Sequence, residues 1–536
     1  IEKINETNPN EEGSLSDDEQ LSYAIAKNNL GIVLQKQGQL ELAIHKFKES
    51  ISIQADYSDA HHNLGNAYRH QKSLDLATKH EQIALEINPN QQNAKAYLIQ
   101  MFREMSDWDG VQNITSKILD LTHLGDSLSP FPFVALEDNA SHQLLRSQNY
   151  SQGLKSSDIS GVSDFVAHRP EGSKLRLGYF SSDFRDHPVL HLLMGMLREH
   201  DRSSFELYGY SFGRVDDCVM REQAKSYFDV FTDINEMSDA DVIELARGHQ
   251  LDVAINLTGY TDRQRNGIFA LRVAPVQINY LGFPSTMGAD FMDYIIADDV
   301  TIPEEYQKYY SEKVLYLPDV YLPNDDQREV AKTDTSRADF DLPEDGFVFC
   351  CFNSSYKISP AEFDVWMRVL DKVDGSVLWL SNSNKWAVEN LKKEAEKRGV
   401  SSDRIIFASR LEKNSEHLAR HKHADLFIDT FNYNAHTTAG DALINGLPLV
   451  TKQGEQFAAR VASSLLHALD LDELTTHSVE EYEALILELA TKPKKLKTIK
   501  AKLAKSLKSK PVFDTKAYTK NFEEIIKNVR VRKLED

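Results

Sequence analysis

Three polar segments of the sequence contain side chains that can bind an anion or move a proton. The first follows the strand-like run 175–180 and passes through Ser182 and Asp183 to His187, after which Pro188 opens an apolar helical run. Proline is favoured in the first turn of a helix, so this segment is predicted to be a strand-to-helix loop. His187 is the side chain of the loop that can exchange a proton near neutral pH. Two interpretations of His187 are open: a proton-transfer group, or a residue that caps the following helix.

The second segment also lies between a strand-like run, 347–352, and a helix that is predicted to begin at Pro360. It contains Lys357, which would enter a cleft at the carboxyl end of the strand as a point cation. An ammonium group of this kind suits a phosphate. A solvated surface lysine is the alternative interpretation for this segment taken alone.

The third segment follows the strand-like run 426–429 and contains His436, Thr437 and Thr438. Thr437 or Thr438 is predicted to be the N-cap of a helix that ends near Gly446. Free backbone N–H groups and the helix dipole make such a start an anion site, and Asp441, one turn later, can accept from ribose hydroxyls. Together with Lys357, the segment predicts a diphosphate cradle; ordinary helix capping is the alternative.

These loops are positioned by two series of strands that alternate with helical segments. The first series is 175–180, 205–210, 252–257, 276–281, 294–297 and 314–317, and the second is 347–352, 377–380, 404–407, 426–429 and 447–451. Short apolar strands separated by helices indicate parallel sheets covered on both faces. We therefore predict an α/β fold with two Rossmann-like lobes, 173–330 and 341–480, followed by C-terminal helices over 481–536. Ligands of such folds bind at the carboxyl ends of the strands, here in the crevice between the lobes.

A repeat with a period of 34 residues precedes the lobes. Asn29-Leu30-Gly31 recurs as Asn63-Leu64-Gly65, and Ala43 recurs as Ala77. This period, with small residues where helices cross, is typical of α-helical tetratricopeptide repeats, which we predict over 20–124. An ordinary helical hairpin is the alternative. Residues 1–19 are acidic and poor in large apolar groups, which predicts a disordered leader, and 125–172 are predicted to be a connecting helical segment.

Composition excludes several classes of protein. The 536 residues have a formal net charge of −21, which disfavours nucleic acid as the main partner, and no apolar run approaches the length of a membrane span. Three cysteines without a CxxC pair predict a reducing compartment, the cytoplasm. The sequence lacks GxGxxG, GxxxxGK[ST], HExxH and GxSxG, and its histidine pairs have no third ligand at a zinc spacing. We therefore predict neither a bound cofactor nor a metal.

Several motifs together resemble the nucleocytoplasmic O-GlcNAc transferase family, in which tetratricopeptide repeats precede a GT-B glycosyltransferase. They are Gly178-Tyr-Phe-Ser-Ser-Asp-Phe with His187-Pro188, Asn256-Leu-Thr-Gly-Tyr-Thr261, Phe269-Ala-Leu-Arg272 through Gln277, Leu281-Gly-Phe-Pro284, Met292-Asp-Tyr-Ile-Ile296, Asn353 through Lys357, and Ala435-His-Thr-Thr438 with Asp441. The resemblance covers the chain from about residue 24 to residue 471. The short repeat array suggests a bacterial relative.

The resemblance implies an inverting, metal-independent transfer of GlcNAc from UDP-GlcNAc to serine or threonine of proteins, which reach the site through the repeats and the cleft. Lys357 resembles the lysine that binds the donor diphosphate, and His187 resembles an active-site histidine. The remaining residues that match nucleotide-sugar contacts are His417 and Arg420 for uracil, His436, Thr437 and Thr438 for nucleotide and phosphate, and Asp441 for ribose.

The sequence departs from the animal enzymes of this family at three positions. Asp252 stands where they have a second active-site histidine, Ser354 replaces a glutamine beside the donor, and Tyr433 replaces a cysteine near the sugar. The SPINDLY branch, which uses GDP-fucose for protein O-fucosylation, is similar overall, but His436 and Asp441 favour the UDP-GlcNAc users. Two other functions stay open as alternatives: a SPINDLY-like fucosyltransferase and a non-catalytic repeat scaffold.

Overall fold

The computed structural model describes residues 16–118, 129–155, 172–213 and 218–535. The backbone forms two compact units. One contains residues up to 102 together with 109–117, and the other contains 103–108 together with the residues from 118 onward. Of the predicted leader, residues 1–15 lie outside the described residues, as do 119–128 and 156–171 around the predicted connecting segment.

Helical hairpins form the first unit. Its helices, the last two of which extend by a few residues into the second unit, are α1 (Asp17–Lys36), α2 (Leu40–Ile53), α3 (Ser58–His70), α4 (Leu74–Ile87), α5 (Gln92–Glu104) and α6 (Trp108–Thr115). The repeated glycines lie where the two helices of a hairpin touch. A Cβ atom at Gly31 would come within 2.5 Å of the Phe47 ring, and one at Gly65 within 2.9 Å of the Glu81 carboxylate. The predicted helical repeats are therefore confirmed, and close packing explains their small residues.

The first helix begins inside the predicted leader. Ser16 caps α1 through its hydroxyl, which accepts from the Glu19 N–H, while the Glu19 carboxylate accepts from the Ser16 N–H. This reciprocal capping box fixes the start at Asp17, three residues before the predicted boundary at residue 20.

Two helices of the connecting segment are described, α7 (Phe131–Val134) and α8 (Ala140–Lys155). The helical character predicted for 125–172 is therefore present in the described part of this segment. Gln143 of α8 donates to the Phe133 carbonyl of α7, which holds the two helices together.

A seven-stranded parallel sheet forms the first lobe, with strand order β3-β2-β1-β4-β5-β6-β7. The strands are β1 (Leu175–Ser181), β2 (Phe205–Ser211), β3 (Val230–Asp233), β4 (Val253–Asn256), β5 (Val276–Asn279), β6 (Tyr294–Ala297) and β7 (Lys313–Tyr316). Helices α9 (Pro188–Glu199), α10 (Val219–Ser226), α11 (Asp239–Gly248) and α12 (Gly267–Ala270) connect them. The edge strand β3 was not predicted, because it is short and only half-buried.

The second lobe is built on a six-stranded parallel sheet, with strand order β10-β9-β8-β11-β12-β13. Its strands are β8 (Val348–Cys351), β9 (Val377–Ser381), β10 (Ile405–Ala408), β11 (Leu426–Ile428), β12 (Leu449–Lys452) and β13 (Thr475–Thr476). Its helices are α13 (Pro360–Lys372), α14 (Lys385–Lys397), α15 (Asn414–Ala419), α16 (Thr437–Ile444), α17 (Val461–Ala468), α18 (Val479–Thr491) and α19 (Pro493–Ser509), followed by α20 (Thr515–Glu535). The two predicted Rossmann-like lobes are confirmed.

The last helix crosses back to the first lobe, where it packs on α9 and β5. Glu523 of α20 pairs with the buried His200, with Oε1 2.9 Å from Nδ1. The hydroxyl groups of Tyr518 and Tyr280 lie 2.5 Å apart. The chain therefore ties the lobes together at both the β7–β8 segment and α20. Among the residues that the structure describes, no helix has the length and apolarity to cross a bilayer.

Candidate functional site

Two adjacent cavities lie between the lobes at the carboxyl ends of the strands. The larger, of about 370 Å³, is lined by Asp183 and His187 from the first lobe and by Lys357 and His436 from the second. The smaller, of about 310 Å³, is lined by His417, Arg420 and Asp441. The residues that line both are His187, Pro188, Thr437 and Thr438. The structure thus brings all eight predicted site residues to one place.

Lys357 ends a 3-10 turn that follows β8, and its side chain is buried in the larger cavity. Its Nζ donates to the Asn434 carbonyl at 3.1 Å and lies 3.7 Å from the centroid of the Tyr433 ring. Burial lowers the pKa of Lys357 to about 7, with the Asp429 carboxylate opposing that shift. An anion entering the cavity would therefore meet a desolvated, positionally fixed amine.

Asp429, directly after β11, organises the loop that leads to α16. Its carboxylate is fully buried and accepts from the N–H groups of Thr430 and Ala435 and from the Thr451 hydroxyl. Burial raises the pKa of Asp429 to about 6, against these hydrogen bonds and the charge of Lys357. The sequence analysis placed this residue in a strand and gave it no role. A carboxylate at the end of an otherwise apolar run was the available signal.

The predicted N-cap at Thr437 or Thr438 is wrong, because the N-cap of α16 is His436 and no side chain caps the helix. The Thr438 hydroxyl donates instead to the Asn353 side chain at 2.5 Å, and His436 Nε2 donates to the Ala458 carbonyl at 3.1 Å. Burial and the nearby Lys357 hold the pKa of His436 well below its usual range, so its imidazole is neutral. The helix start is thus left free of a capping side chain, beside a lysine, in a form that suits an anion.

The smaller cavity has an ionised carboxylate at its base. Asp441 Oδ1 lies 2.7 Å from Arg328 Nη1, and Oδ2 lies 3.7 Å from His417 Nε2. Although burial opposes it, the charges of Arg328 and His417 lower the pKa of Asp441. Arg420 lies over the Phe352 ring, 4.7 Å from its centroid. Arg328 was missed by the sequence analysis, because it lies in the irregular β7–β8 segment.

The capping role that the sequence left open for His187 is present in the structure, and proton transfer stays a prediction. His187 is the N-cap of α9, where Nδ1 accepts from the Val189 N–H at 3.3 Å, and it also lines both cavities. Asp183 Oδ1 lies 3.6 Å from the same nitrogen. Burial lowers the pKa of His187. A neutral imidazole that accepts at Nδ1 has its proton on Nε2.

Asp252 lies away from both cavities. It precedes β4 at the amino end of the strand, and its Oδ2 accepts from the Arg176 N–H at 2.9 Å. The cavities are at the opposite, carboxyl end of the sheet. The interpretation of position 252 as an active-site position is therefore wrong for this chain. Tyr433 is different, since its ring lies against Lys357 in the larger cavity.

Residues 103–108 brace the turn that carries Lys357. The Arg103 guanidinium donates to the Tyr356 carbonyl, the Ser355 hydroxyl donates to the Glu104 carbonyl at 2.7 Å, and Trp108 Nε1 donates to the Ile358 carbonyl at 3.3 Å. The sequence analysis placed Trp108 within the repeats predicted over 20–124. Here it belongs to the same compact unit as the lobes.

In the described ranges, no group of three or more His, Cys, Asp or Glu side chains is placed to hold a metal ion. The metal-independent chemistry suggested by the sequence stays a prediction.

Comparisons with known proteins agree with this architecture. The model described as glycosyl transferase family 41 matches residues 163–333 and 326–522, and a TPR repeat model matches 31–72. A solved structure of an O-GlcNAc transferase mutant from Thermobaculum terrenum aligns with 98% of this chain and 99% of its own, with a TM-score of 0.77 and 23% identity. This likeness shows the shared fold.

Two curated relatives are similar over about two thirds of this chain. The probable UDP-N-acetylglucosamine–peptide N-acetylglucosaminyltransferase SEC of Arabidopsis thaliana is 36% identical over 356 residues, which are 65% of this chain and 36% of the relative. The UDP-N-acetylglucosamine–peptide N-acetylglucosaminyltransferase of Caenorhabditis elegans is 29% identical over 467 residues, 66% of this chain and 40% of the relative. The aligned region thus spans about two fifths of each relative's length.

Proposed function

Since the chain belongs to glycosyl transferase family 41, we propose that it transfers GlcNAc from UDP-GlcNAc to serine or threonine hydroxyls of proteins. The observation that supports this most is the pairing of Lys357 with the start of α16 in one cavity. That pairing suits the diphosphate of a nucleotide sugar, and the names of the two curated relatives suggest which sugar.

In the proposed reaction an acceptor hydroxyl oxygen forms a bond to C1 of the sugar while the bond from C1 to the diphosphate oxygen breaks, and the hydroxyl proton passes to water or to an oxygen of the leaving diphosphate. Negative charge grows on the leaving diphosphate in the transition state. The Lys357 ammonium and the N–H groups that begin α16 would stabilise that charge more than the charge of the bound donor, which is what raises turnover. Tyr433 and Asn434 hold Lys357 in place for this role. These protein groups supply the positive charge, so the proposal requires no metal and no cofactor.

His187 fits a hydrogen-bond donor to the bound substrates. Its Nδ1 is used by the Val189 N–H, which leaves Nε2–H to point toward a polar atom in the cavity. A base would need the opposite tautomer, with a proton donated from Nδ1 to Asp183. The shorter separation, to the Val189 nitrogen, favours the donor role.

The smaller cavity favours a uridine nucleotide in this proposal. Asp441 would accept from the ribose, and His417 and Arg420 would contact the base. The protein acceptor would approach through the larger cavity and the repeats. The three cysteines, all free thiols, fit a reducing compartment such as the cytoplasm.

The experiment is a donor panel. The protein is incubated with UDP-GlcNAc, UDP-glucose or GDP-fucose and a mixture of serine- and threonine-containing peptides, and released UDP or GDP and peptide mass are measured. We expect UDP release and a GlcNAc adduct with the first donor only. Lys357→Met should lower the signal by at least about 100-fold, whereas Lys313→Met, at an exposed lysine of β7, should retain it. GDP release from GDP-fucose would replace the proposal by fucosyl transfer, and UDP binding without any transfer would favour a scaffold.

A further inference from the structure

An arginine outside both cavities connects two walls of the smaller one. Arg328 lies in the segment between β7 and β8, with a side chain only 7% exposed. Its Nη1 is 2.7 Å from Asp441 Oδ1 on α16, and its Nη2 donates to Asn414 Oδ1 on α15 at 3.1 Å. The planar guanidinium presents two amino groups in a fixed fork, so one residue reaches both helices.

We propose that Arg328 is a positioning residue for the nucleoside end of the donor, acting by holding Asp441 and Asn414 in one fixed arrangement. Asp441 and Asn414 line the smaller cavity, and Arg328 does not line either of the two. Arg328 therefore acts through them. This inference rests on the proposed function, because it assigns the smaller cavity to a uridine nucleotide.

The ion pair also decides which carboxylate oxygen is presented to a ligand. Arg328 occupies Oδ1, and Oδ2 stays on the side of His417, whose Nε2 is 3.7 Å away. His417 Nδ1 accepts from Arg420 Nη2, so the ring nitrogen that faces Oδ2 is Nε2. Oδ2 is thereby the oxygen available to accept from a ribose hydroxyl.

The segment that contains Arg328 is itself fixed to α15. The Ala331 N–H donates to the Ser415 carbonyl at 3.0 Å. The β7–β8 segment, α15 and α16 are consequently joined at three points: Ala331 to Ser415, Arg328 to Asn414, and Arg328 to Asp441. Loss of the guanidinium would leave only the first of these and would let Asp441 change its orientation.

Arg328 also sets the charge of the carboxylate. The charged and titratable groups that act on Asp441 are Arg328 from the β7–β8 segment, His417, Arg420 and His421 from α15 and the turn after it, and His191 from α9, which itself pairs with Asp186. Burial raises the pKa of Asp441, and Arg328 gives the largest opposing contribution. Without Arg328 the carboxyl should protonate at a higher pH, and nucleotide binding should weaken as the pH falls.

The test measures the Kd of UDP by isothermal titration calorimetry for the full chain and for Arg328→Met, Arg328→Lys and Arg337→Met. Arg337 is the matched control, since it lies in the same segment and pairs with Asp425 outside both cavities. We expect Arg328→Met to weaken binding by about 10- to 100-fold, because it removes the buried ion pair that orients Asp441. The Kd of Arg328→Lys should lie between those of Arg328→Met and the wild type, because an ammonium keeps the charge but cannot contact Asp441 and Asn414 at the same time. Arg337→Met should bind as the wild type does.

The pH dependence separates positioning from a loss of fold. The ratio of the variant Kd to the wild-type Kd should rise as the pH is lowered for Arg328→Met, because the pKa of Asp441 is then higher, and should stay flat for Arg328→Lys. The diphosphate of UDP also titrates, but it does so equally with the variant and the wild type. The ratio of the two Kd values therefore reports only the pH dependence of the protein groups. In an Asp441→Asn background, Arg328→Met should weaken binding by less than about threefold, because the two residues act as one unit.

The outcomes are distinct. If the wild type does not bind UDP, the proposed function fails. If the wild type binds UDP and both Arg328 variants bind within twofold of it, or if Arg328→Met costs as much in the Asp441→Asn background as in the wild type, the positioning role is overturned. If Arg328→Met does not fold, the Kd of Arg328→Lys is compared with that of Arg337→Met. A higher Kd for Arg328→Lys supports the positioning role, and equal Kd values overturn it.

Discussion

Replacing Lys357 by methionine removes the cation of the larger cavity while keeping an unbranched side chain of similar length. The ordinary pKa of a lysine, 10.5, is lowered in this site to about 7 by burial. The difference of 10.5 − 7 corresponds to about 5 kcal/mol, which is the free-energy cost of keeping Lys357 as an ammonium ion in the cavity without a ligand. A diphosphate at the start of α16 reverses this, because it brings negative charge to the same place.

Kinetics should show this titration directly. Since the pH dependence of kcat/KM reports the free enzyme, wild-type kcat/KM for the donor should fall about tenfold per pH unit above about pH 7. The charged form predominates below its pKa, so activity is lost as pH rises. The corresponding decline in kcat should begin at higher pH, since the bound diphosphate raises the pKa of Lys357. At pH 7, Lys357→Met should lower kcat by about 10²- to 10³-fold, the usual cost of one electrostatic donor.

Stability provides the control. The folded pKa of Lys357, about 7, lies below the unfolded value of 10.5, so the unfolded chain binds more protons between these two pH values. The free energy of unfolding of the wild type should therefore rise with pH across that window, and Lys357→Met should lack this contribution. Urea denaturation at several pH values measures it. The variant should be at least as stable as the wild type at pH 7, so lost turnover could not be attributed to unfolding.

A wild-type kcat/KM that stays level to about pH 9 would refute the reasoning about Lys357. So would a decline near pH 7 that persists in the residual activity of Lys357→Met, because the titrating group would then be another one. Lys313→Met, at an exposed lysine of β7, should show the wild-type profile.

Two further predictions concern the cap at His187 and the absence of a metal. Because His187 Nδ1 accepts from the Val189 N–H, His187→Ala should lower the unfolding free energy by about 0.5–2 kcal/mol in urea denaturation. His187→Asn keeps a capping acceptor, so it should restore stability but not turnover. Equal turnover of His187→Asn and the wild type would show that His187 has no role in the reaction. Because Lys357 and the start of α16 supply the positive charge, UDP release should be unchanged by excess EDTA, and activity lost in EDTA and regained with magnesium would contradict this.

Much of the fold was predictable because the strands of parallel sheets are buried on both faces. Each predicted strand has a counterpart whose ends lie within two residues of the prediction. β3 and β13 were not predicted, because β3 is a half-buried edge strand and β13 is only two residues long. The repeats were readable from the glycines that Phe47 and Glu81 pack against.

The site was partly predictable for a related reason. Parallel strands end at one edge of a sheet, so the loops after β8 and β11 had to meet. The crevice between the two lobes brings the loop after β1 to them, and His187, Lys357 and His436 line one cavity. Arg328 could not be found this way, since it lies in a segment without periodicity and reaches Asp441 only through the tertiary fold. The N-cap prediction failed because the Thr438 hydroxyl bonds across the sheet edge to Asn353 rather than to its own helix.

The brace formed by residues 103–108 bears on where the chain can be divided. Arg103, Glu104 and Trp108 are continuous with α5 and α6, yet their hydrogen bonds seat the turn that presents Lys357. A fragment that begins after the last repeat would lose these hydrogen bonds even though both Rossmann-like lobes were intact. Any chimaera that exchanges the helical array must consequently retain this six-residue stretch with the lobes.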